Sequence, residues 1–212
     1  MTEVKRPYDA SGRQQRARAR RRAVVLAARE LFERDGFRAT TIADVAKAAG
    51  VSAESIYKGF GTKAALAKAV FDQVLAGDDE PVPIAQRTES QDVQAEPDVR
   101  RKLALYTAGL AQRQARSAKV QILIRDGRHT DDTLEELWQN LLTERLTGMG
   151  LCAAHLVDTG QLRQGIDHAE VRDVLWTCIS VELYELLVLQ REWTLDRYTA
   201  WITQAITAAI CP

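Results

Sequence analysis

The feature that most constrains the fold is a pair of short amphipathic patterns joined by one glycine, within TTIADVAKAAGVSAESIYKGFGTKAAL at positions 40–66. Thr41 and Asp44 have the spacing of a capping box, so a first helix is expected to begin directly after Thr41. Gly50 is placed to end that helix, and Ser52 is a suitable N-cap for a second short helix. The pattern therefore predicts a helix-turn-helix.

Such a corner leaves the outer face of the second helix free, and a helix held in this way can enter the major groove of DNA. The alternative is an ordinary pair of packed amphipathic helices, which the same pattern also describes. The charge of the surrounding sequence therefore helps to decide between a DNA-binding helix-turn-helix and an ordinary helix pair. The residues expected on the free face are Ala53, Glu54, Ser55, Tyr57 and Lys58.

The formal net charge of zero hides a strong asymmetry between the two ends of the chain. Positions 1–70 carry 15 Lys and Arg against 7 Asp and Glu, a balance of +8, and positions 71–212 carry 14 against 22, a balance of −8. Six of the ten residues from Arg13 to Arg22 are arginines. An arginine run of this kind is often only a solvated tail, but beside a helix-turn-helix it favours an arm that binds phosphates.

The stretch LFERDGFRATTIADVAKAAGVSAESIYKGFGTKAALAKAVFD, positions 31–72, resembles the N-terminal DNA-binding domain of the TetR family of transcriptional regulators. The shared features are Gly36-Phe37, the Thr-Thr before helix two, the Ala-Gly-Val-Ser corner, the Tyr-x-x-Phe of helix three and the Thr-Lys-x-x-Leu that opens helix four. The resemblance implies that Thr41, Tyr57 and Lys63 contact phosphates and that the start of helix three reads bases.

The sequence departs from the family pattern at Lys58-Gly59, where an aromatic residue or His is common. Lys58 is a candidate replacement, as a phosphate or guanine contact. Glu54 could accept from a cytosine amino group or only favour the positive end of its helix, and both interpretations stay open. The complete set of expected DNA-binding residues is Arg20, Arg21, Arg22, Thr40, Thr41, Ser52, Ala53, Glu54, Ser55, Tyr57, Lys58 and Lys63.

The remainder of the chain predicts an all-α fold, because no segment shows sustained strand alternation or hairpin turns. We expect a basic flexible arm (1–22), a three-helix DNA-binding domain with its connecting helix (23–76), a linker or long loop (77–97) and a larger helical domain (98–212), about nine helices in all. The 77–97 segment holds three of the five prolines, which favours a mobile linker over a lid.

The segment from Val171 to Leu189 is predicted to be one helix, and its apolar residues cover more of the helix surface than a single core-facing stripe would. Either this helix is central in its own subunit, or its surplus face meets a second copy. The TetR resemblance implies a four-helix dimer interface formed by the last two helices, which suits two reading heads on successive DNA turns. The expected interface residues are Val171, Val174, Leu175, Ile179, Leu183, Leu186, Trp201 and Ile202.

The resemblance also implies a small-molecule effector pocket inside the helical domain, although aromatic residues at helical spacing more often belong to a core. Glu182 lies in an apolar run, so it needs an Arg, a residue of a dimer mate or a cationic ligand as its partner. The candidate pocket residues are Tyr106, Arg113, Ile122, Trp138, His155, Trp176, Glu182 and Tyr184.

Other function classes find little support in the sequence. No apolar run is long enough to span a bilayer and no signal core begins the chain, so we expect a cytoplasmic protein without a membrane partner. The pair Cys152 and His155 is too small a set for a structural zinc site, and no catalytic motif or cofactor-binding loop occurs.

These observations together predict a homodimeric transcriptional repressor, not an enzyme and without a cofactor. It would bind a palindromic operator in double-stranded DNA and be released by an unidentified small-molecule effector. The alternative is a helical scaffold or adaptor that does not bind an operator.

Overall fold

The structure, a computed structural model, describes residues 10–78, 80 and 82–212, and side chains from Gly12 onward. Within these residues all regular structure is helical, so the prediction of an all-α fold is confirmed. None of the described helices combines the length and the apolar character that crossing a membrane requires. The chain divides into two compact units, one ending at Val70 and the other beginning at Phe71.

The first unit is built from α1 (Ala10–Asp35), α2 (Ile42–Ala49), α3 (Ala53–Phe60) and the first half of α4 (Lys63–Ala76). Apolar side chains at helical spacing on each helix turn toward one small core. The most deeply buried of these are Ala28, Phe32, Val45, Ile56, Leu66, Ala67 and Val70.

The predicted corner is present and its caps are confirmed. Thr41 and Asp44 form the reciprocal capping box at the start of α2, and the Ser52 hydroxyl accepts from the Ser55 amide at the start of α3. Gly50 has a φ of +66°, and its amide donates to two carbonyls in the last turn of α2. Glycine is favoured here because a Cβ disfavours this left-handed conformation.

The prediction of a flexible arm is wrong for the described part of the segment 1–22, because α1 begins at Ala10 and is helical through the arginine run. Its later turns are fixed by buried residues such as Val24 and Val25. A helix that is already nucleated extends at little cost, and Arg and Ala are strong helix formers. Residues 1–9 of the expected arm lie outside the described residues.

The second unit contains the other half of α4, a 3₁₀ turn (Ile84–Gln86) and six further α-helices, which makes ten α-helices in the described residues against the nine expected. The core is centred on α10, whose residues Tyr198, Ile202, Ile206 and Ile210 are fully buried. The six helices are α5 (Thr88–Ala95), α6 (Val99–Gly127), α7 (Asp132–Asp158), α8 (His168–Cys178), α9 (Val181–Tyr184) and α10 (Leu195–Ile210), with a π-helical segment (Glu185–Gln190) after α9.

The described residues of the expected mobile linker have local structure of their own. The Arg87 guanidinium donates to both carboxylate oxygens of Asp78, at 2.5 and 2.8 Å, and these bonds hold the pKa of Asp78 at about 2. The following residues form α5, which packs on α6. Sequence periodicity missed α5 because none of its side chains is buried.

The single helix expected from Val171 to Leu189 is interrupted at Ile179 and Ser180, between α8 and α9. An interrupted helix leaves backbone groups that need new partners. The carbonyl of Ile179 has a hydrogen-bond partner on another helix, since the buried Gln114 side chain of α6 donates to it at 2.7 Å. The side-chain amide of Gln114 thus stabilises the break between α8 and α9. The apolar pattern of positions 171–189 did not predict this break.

Two glycines give a matched test of the corner, since at both of them a Cβ would meet no atom within 4 Å. Gly50→Ala places a Cβ at positive φ, so we expect the free energy of unfolding to fall by about 1–2 kcal/mol. Gly59→Ala lies inside α3, and we expect a gain of about 0.5–1 kcal/mol from helix propensity. Urea unfolding measures both variants, and changes of the same sign would contradict this account.

Candidate nucleic-acid interface and ligand cavity

The outer face of α3 is polar and open to solvent. Ile56 is 1% exposed and anchors the helix, while Tyr57 is 54% exposed. Glu54, Ser55 and Lys58 are also exposed, and Ala53 is half-buried. The Ser52 and Ser55 hydroxyls hydrogen-bond to each other at 2.8 Å. The helix therefore presents one aromatic hydroxyl, one ammonium and one carboxylate, all on a well-anchored element.

Arg21 ties the arginine-rich part of α1 to α3. Its guanidinium lies 4.3 Å from the centroid of the Phe60 ring and donates to the carbonyl of Gly59 at 3.3 Å. Arg20 and Arg22 are exposed at the same level of α1. The positive charge of α1 is thus fixed beside the carboxyl end of α3, where sequence analysis expected a flexible arm.

Thr40 and Thr41 differ from their expected role at phosphates. Thr40 is 2% exposed, and its hydroxyl donates to the Gly36 carbonyl at 2.9 Å, so the prediction of DNA contact is wrong for Thr40. The Thr41 hydroxyl is exposed but donates to Asp44 at 2.6 Å. This bond, together with the Thr41 backbone amide, lowers the pKa of Asp44.

Lys63 has a structural role that sequence analysis did not identify. Its ammonium donates to the carbonyls of Phe37 and Thr40, at 2.8 and 3.0 Å, and lies 4.2 Å from the centroid of the Phe37 ring. The side chain therefore ties the turn between α1 and α2 to the start of α4. A phosphate contact by Lys63 stays a prediction, and it would share the ammonium with these two bonds.

The second unit contains a cavity of about 500 Å³ that is partly open to solvent and is lined by residues of α4–α8, the 3₁₀ turn and Ile179. This volume is within the usual range for sites that bind small organic molecules. Most of its wall is apolar, with buried residues such as Leu103, Leu110, Leu141 and Leu175. Four of the expected pocket residues line it, namely Tyr106, Arg113, Trp138 and His155.

The other four candidates do not line this cavity. Tyr184 is buried edge-on against Tyr198, with ring centroids 5.3 Å apart. Glu182 is half-exposed and lies 3.8 Å from Arg125, so an arginine is its partner. Trp176 packs against the main core cluster, and Ile122 is a half-buried residue of α6 outside the cavity wall. Helical periodicity shows which residues share a face of a helix, but it does not show whether that face lines a cavity or packs into the core.

Two basic residues of the cavity wall were missed, Lys102 and Arg145. Lys102 is 3% exposed, and its ammonium donates to the carbonyls of Val93 and Gln94 and contacts His155 Nε2 at 2.9 Å. Burial lowers the pKa of Lys102. This side chain fastens the last turn of α5 to α6 and α7, so α5 forms part of the cavity wall.

The expected dimer interface is wrong for Val171, Leu175, Ile179 and Ile202, because each is buried in the core of its own protomer. The wide apolar pattern therefore reflects mainly the central position of α8 and α10. Val174 and Leu183 are partly buried against the same core. Among the expected residues, Leu186 and Trp201 are exposed, at 51% and 36%, and Leu189 nearby on the π-helical segment is 46% exposed.

Comparison with known proteins gives matches to both units of the chain. Residues 24–70 match the family described as bacterial regulatory proteins, tetR family. The HTH-type transcriptional regulator TtgR of Pseudomonas putida is 31% identical over 154 residues, which cover 71% of this chain and 72% of that protein.

Two solved structures share the fold over almost the whole chain. NalD of Pseudomonas aeruginosa, a repressor of the MexAB-OprM multidrug efflux pump, is 19% identical with a TM-score of 0.71, over 93% of this chain and 98% of that chain. A regulator from Saccharomonospora viridis in complex with choline is 17% identical with a TM-score of 0.63, over 91% and 97% of the two chains.

The match to the DNA-binding unit agrees with the capped corner and the exposed face of α3 described above. The match to TtgR extends the relationship well beyond this unit, to more than two thirds of each protein. The chain therefore belongs to the TetR family of bacterial regulatory proteins and is a DNA-binding regulator of transcription.

Proposed function

We propose that this protein is a repressor that binds a palindromic operator as a homodimer and is released when a small molecule occupies the cavity. The observation that carries the proposal is the exposed face of α3, held beside the arginines of α1 through Arg21. Helix α3 would enter the major groove, and the arginines would neutralise phosphates. We infer a cytoplasmic location, because bacterial transcription takes place there.

The roles at DNA follow from the exposure of each side chain. Tyr57 and Lys58 offer donors to phosphate oxygens or to the acceptor atoms of guanine, and the start of α3 would face base edges. Phosphate contacts position the protein, whereas base contacts give it specificity. Glu54 is exposed in the first turn of α3, so it is able either to accept from cytosine or to stabilise the helix N-terminus.

The cavity supports the effector part of the proposal because it is large, mostly apolar and formed within the second unit. The fold relative in complex with choline holds a small organic molecule, and NalD is a repressor by its description. A ligand acts on DNA binding only through a difference in its affinity for two conformations. We therefore infer that cavity occupancy favours a conformation that does not fit the operator.

The dimer part of the proposal rests on the exposed apolar side chains of the π-helical segment and α10. Leu186, Leu189 and Trp201 are large apolar side chains that are exposed to water, which solvates them poorly. Small residues lie on the same exposed face of α10, at Ala200 and Ala208. Burying this face against a second copy would give the symmetric pair that a palindrome requires.

Operator binding is tested by selecting bound DNA from a random pool and measuring the affinity of the protein for the most enriched sequence at several salt concentrations. We expect an inverted repeat, and affinity that falls steeply with salt because phosphate binding releases counterions. Folded protein that enriches no sequence would contradict the proposal. The selection repeated with Glu54→Ala separates the two interpretations of Glu54, since only a base-reading role changes the preferred base.

Two lysines provide a matched pair that separates DNA contact from structural support. Lys58→Met removes one exposed charge from each protomer, so we expect stability to stay the same and the salt slope of the dimer to become shallower by about 1.8, the value for two phosphates. Lys63→Met removes two charge-assisted hydrogen bonds to carbonyls, which should reduce the free energy of unfolding by about 2 kcal/mol. Equal effects of the two variants on stability would contradict the role of Lys63 as a brace.

Dimerisation is tested by light scattering on Leu186→Glu and on Val157→Glu, an exposed apolar residue of α7 that serves as the control. A charge in the proposed interface should convert the dimer to a monomer at micromolar concentration and weaken operator binding. The control should stay dimeric. A wild-type protein that is monomeric at this concentration would overturn the dimer.

A further inference from the structure

We propose that the cavity recognises an amphipathic organic acid, with a carboxylate held by Arg113 and Arg145 and an apolar body that fills the rest of the space. This inference rests on the effector site given under Proposed function and specifies its ligand class. The observation behind it is the pairing of two guanidiniums with an otherwise mostly apolar wall.

Neither guanidinium has a carboxylate partner among the described residues. Arg113 on α6 and Arg145 on α7 make no ion pair within 4 Å there. Glu182 acts on Arg145 from a longer distance and is itself paired with Arg125. A half-buried cation without a counter-ion is costly, so an anion that enters the cavity would relieve that cost.

Arg145 is the better defined of the two cations. It is half-buried, its Nε atom is buried without a hydrogen-bond partner, and its guanidinium lies 4.9 Å from the centroid of the Trp176 ring. Burial lowers the pKa of Arg145. A buried guanidinium donor of the cavity wall that lacks an acceptor favours a ligand that brings acceptor atoms.

Arg113 also lines the cavity, and its conformation depends on Gly109, one turn earlier on α6, which has no side chain. Its Nη1 lies 2.9 Å from where a Cβ on Gly109 would stand, so the guanidinium lies back over that glycine. Its central carbon is 6.0 Å from the centroid of the Tyr106 ring. Burial raises the pKa of Tyr106, and the charges of Arg113 and Arg145 both act against that rise. Both cations are thus within electrostatic reach of one hydroxyl.

The two carboxylates of the cavity wall, on Glu89 and Glu144, are at solvent-exposed positions. The other cationic wall residue, Lys102, already donates to two carbonyls and contacts His155. Apart from these residues, the charged groups of the wall are the two guanidiniums, set among mostly apolar side chains. An arginine binds a carboxylate through two parallel hydrogen bonds, which makes a carboxylate the acceptor group that suits this pair.

The test is calorimetric titration of the DNA-free protein with two series of matched probes. One series is decanoate, decan-1-ol and decylamine, and the other is 2-naphthoate, 2-naphthol and 2-naphthylmethylamine. We expect the acid of at least one series to bind about tenfold or more tightly than its uncharged and cationic counterparts. Equal or tighter binding of the alcohols or amines, or binding by no probe, would overturn the inference.

Three variants assign the preference to the named residues. Arg145→Gln and Arg113→Gln should each weaken acid binding by about tenfold or more, with little change for the alcohol. Arg145→Lys keeps the charge and should retain part of the preference. Arg101→Gln, at an exposed position of α6, is the control and should bind the acid like wild type. A thermal melt of each ligand-free variant establishes that it is folded.

Release of the selected operator by the same probes separates this inference from the proposed function. If an alcohol binds best and releases the operator, the acid preference is wrong and the effector-released repressor stands. If the acid binds through Arg145 but operator affinity does not change, the ligand class is supported and the effector role of the cavity is wrong.

Discussion

The backbone carbonyls at helix ends need hydrogen-bond donors, and long side chains from distant positions supply them in both units. Lys63 donates to the carbonyls of the turn between α1 and α2. Lys102 donates to the last turn of α5, and Gln114 to the carbonyl at the break after α8. Each of these bonds fixes the direction in which a short element leaves its neighbour. The exposed face of α3 and the wall of the cavity both depend on this arrangement.

Sequence reasoning succeeded where the determining interaction is local. The capping box at Thr41, the αL glycine at position 50 and the Ser52 cap involve residues that lie within four positions of one another. Helical periodicity also identified α2, α3 and the all-α class. These features could be predicted because their physics acts over one turn of a helix.

The errors occur where a tertiary contact decides the outcome. Nothing in the local pattern distinguishes the buried hydroxyl of Thr40 from the exposed one of Thr41, since the difference comes from packing against the rest of the first unit. The role of Lys63 depends on a turn 23 and 26 positions earlier. The surroundings of Arg145 also depend on tertiary packing, because only the folded unit shows that no carboxylate of the described residues lies within ion-pair distance of it. An apolar stripe also predicts that a helix face is buried, but it does not distinguish the core of one protomer from an interface between two. Four core residues were therefore assigned to the dimer interface.

Helix α5 contributes no buried residue of its own, yet it forms part of the cavity wall. Its attachment includes the hydrogen bonds from Lys102, whereas the core centred on α10 is formed by other residues. An element attached in this way can open at a small fraction of the free energy that global unfolding requires. We therefore expect α5 to affect the rate at which a molecule enters the cavity, and the inner wall to determine its affinity. Under the proposed effector role, substitutions in this short polar helix are expected to alter the speed of the response more than the choice of ligand.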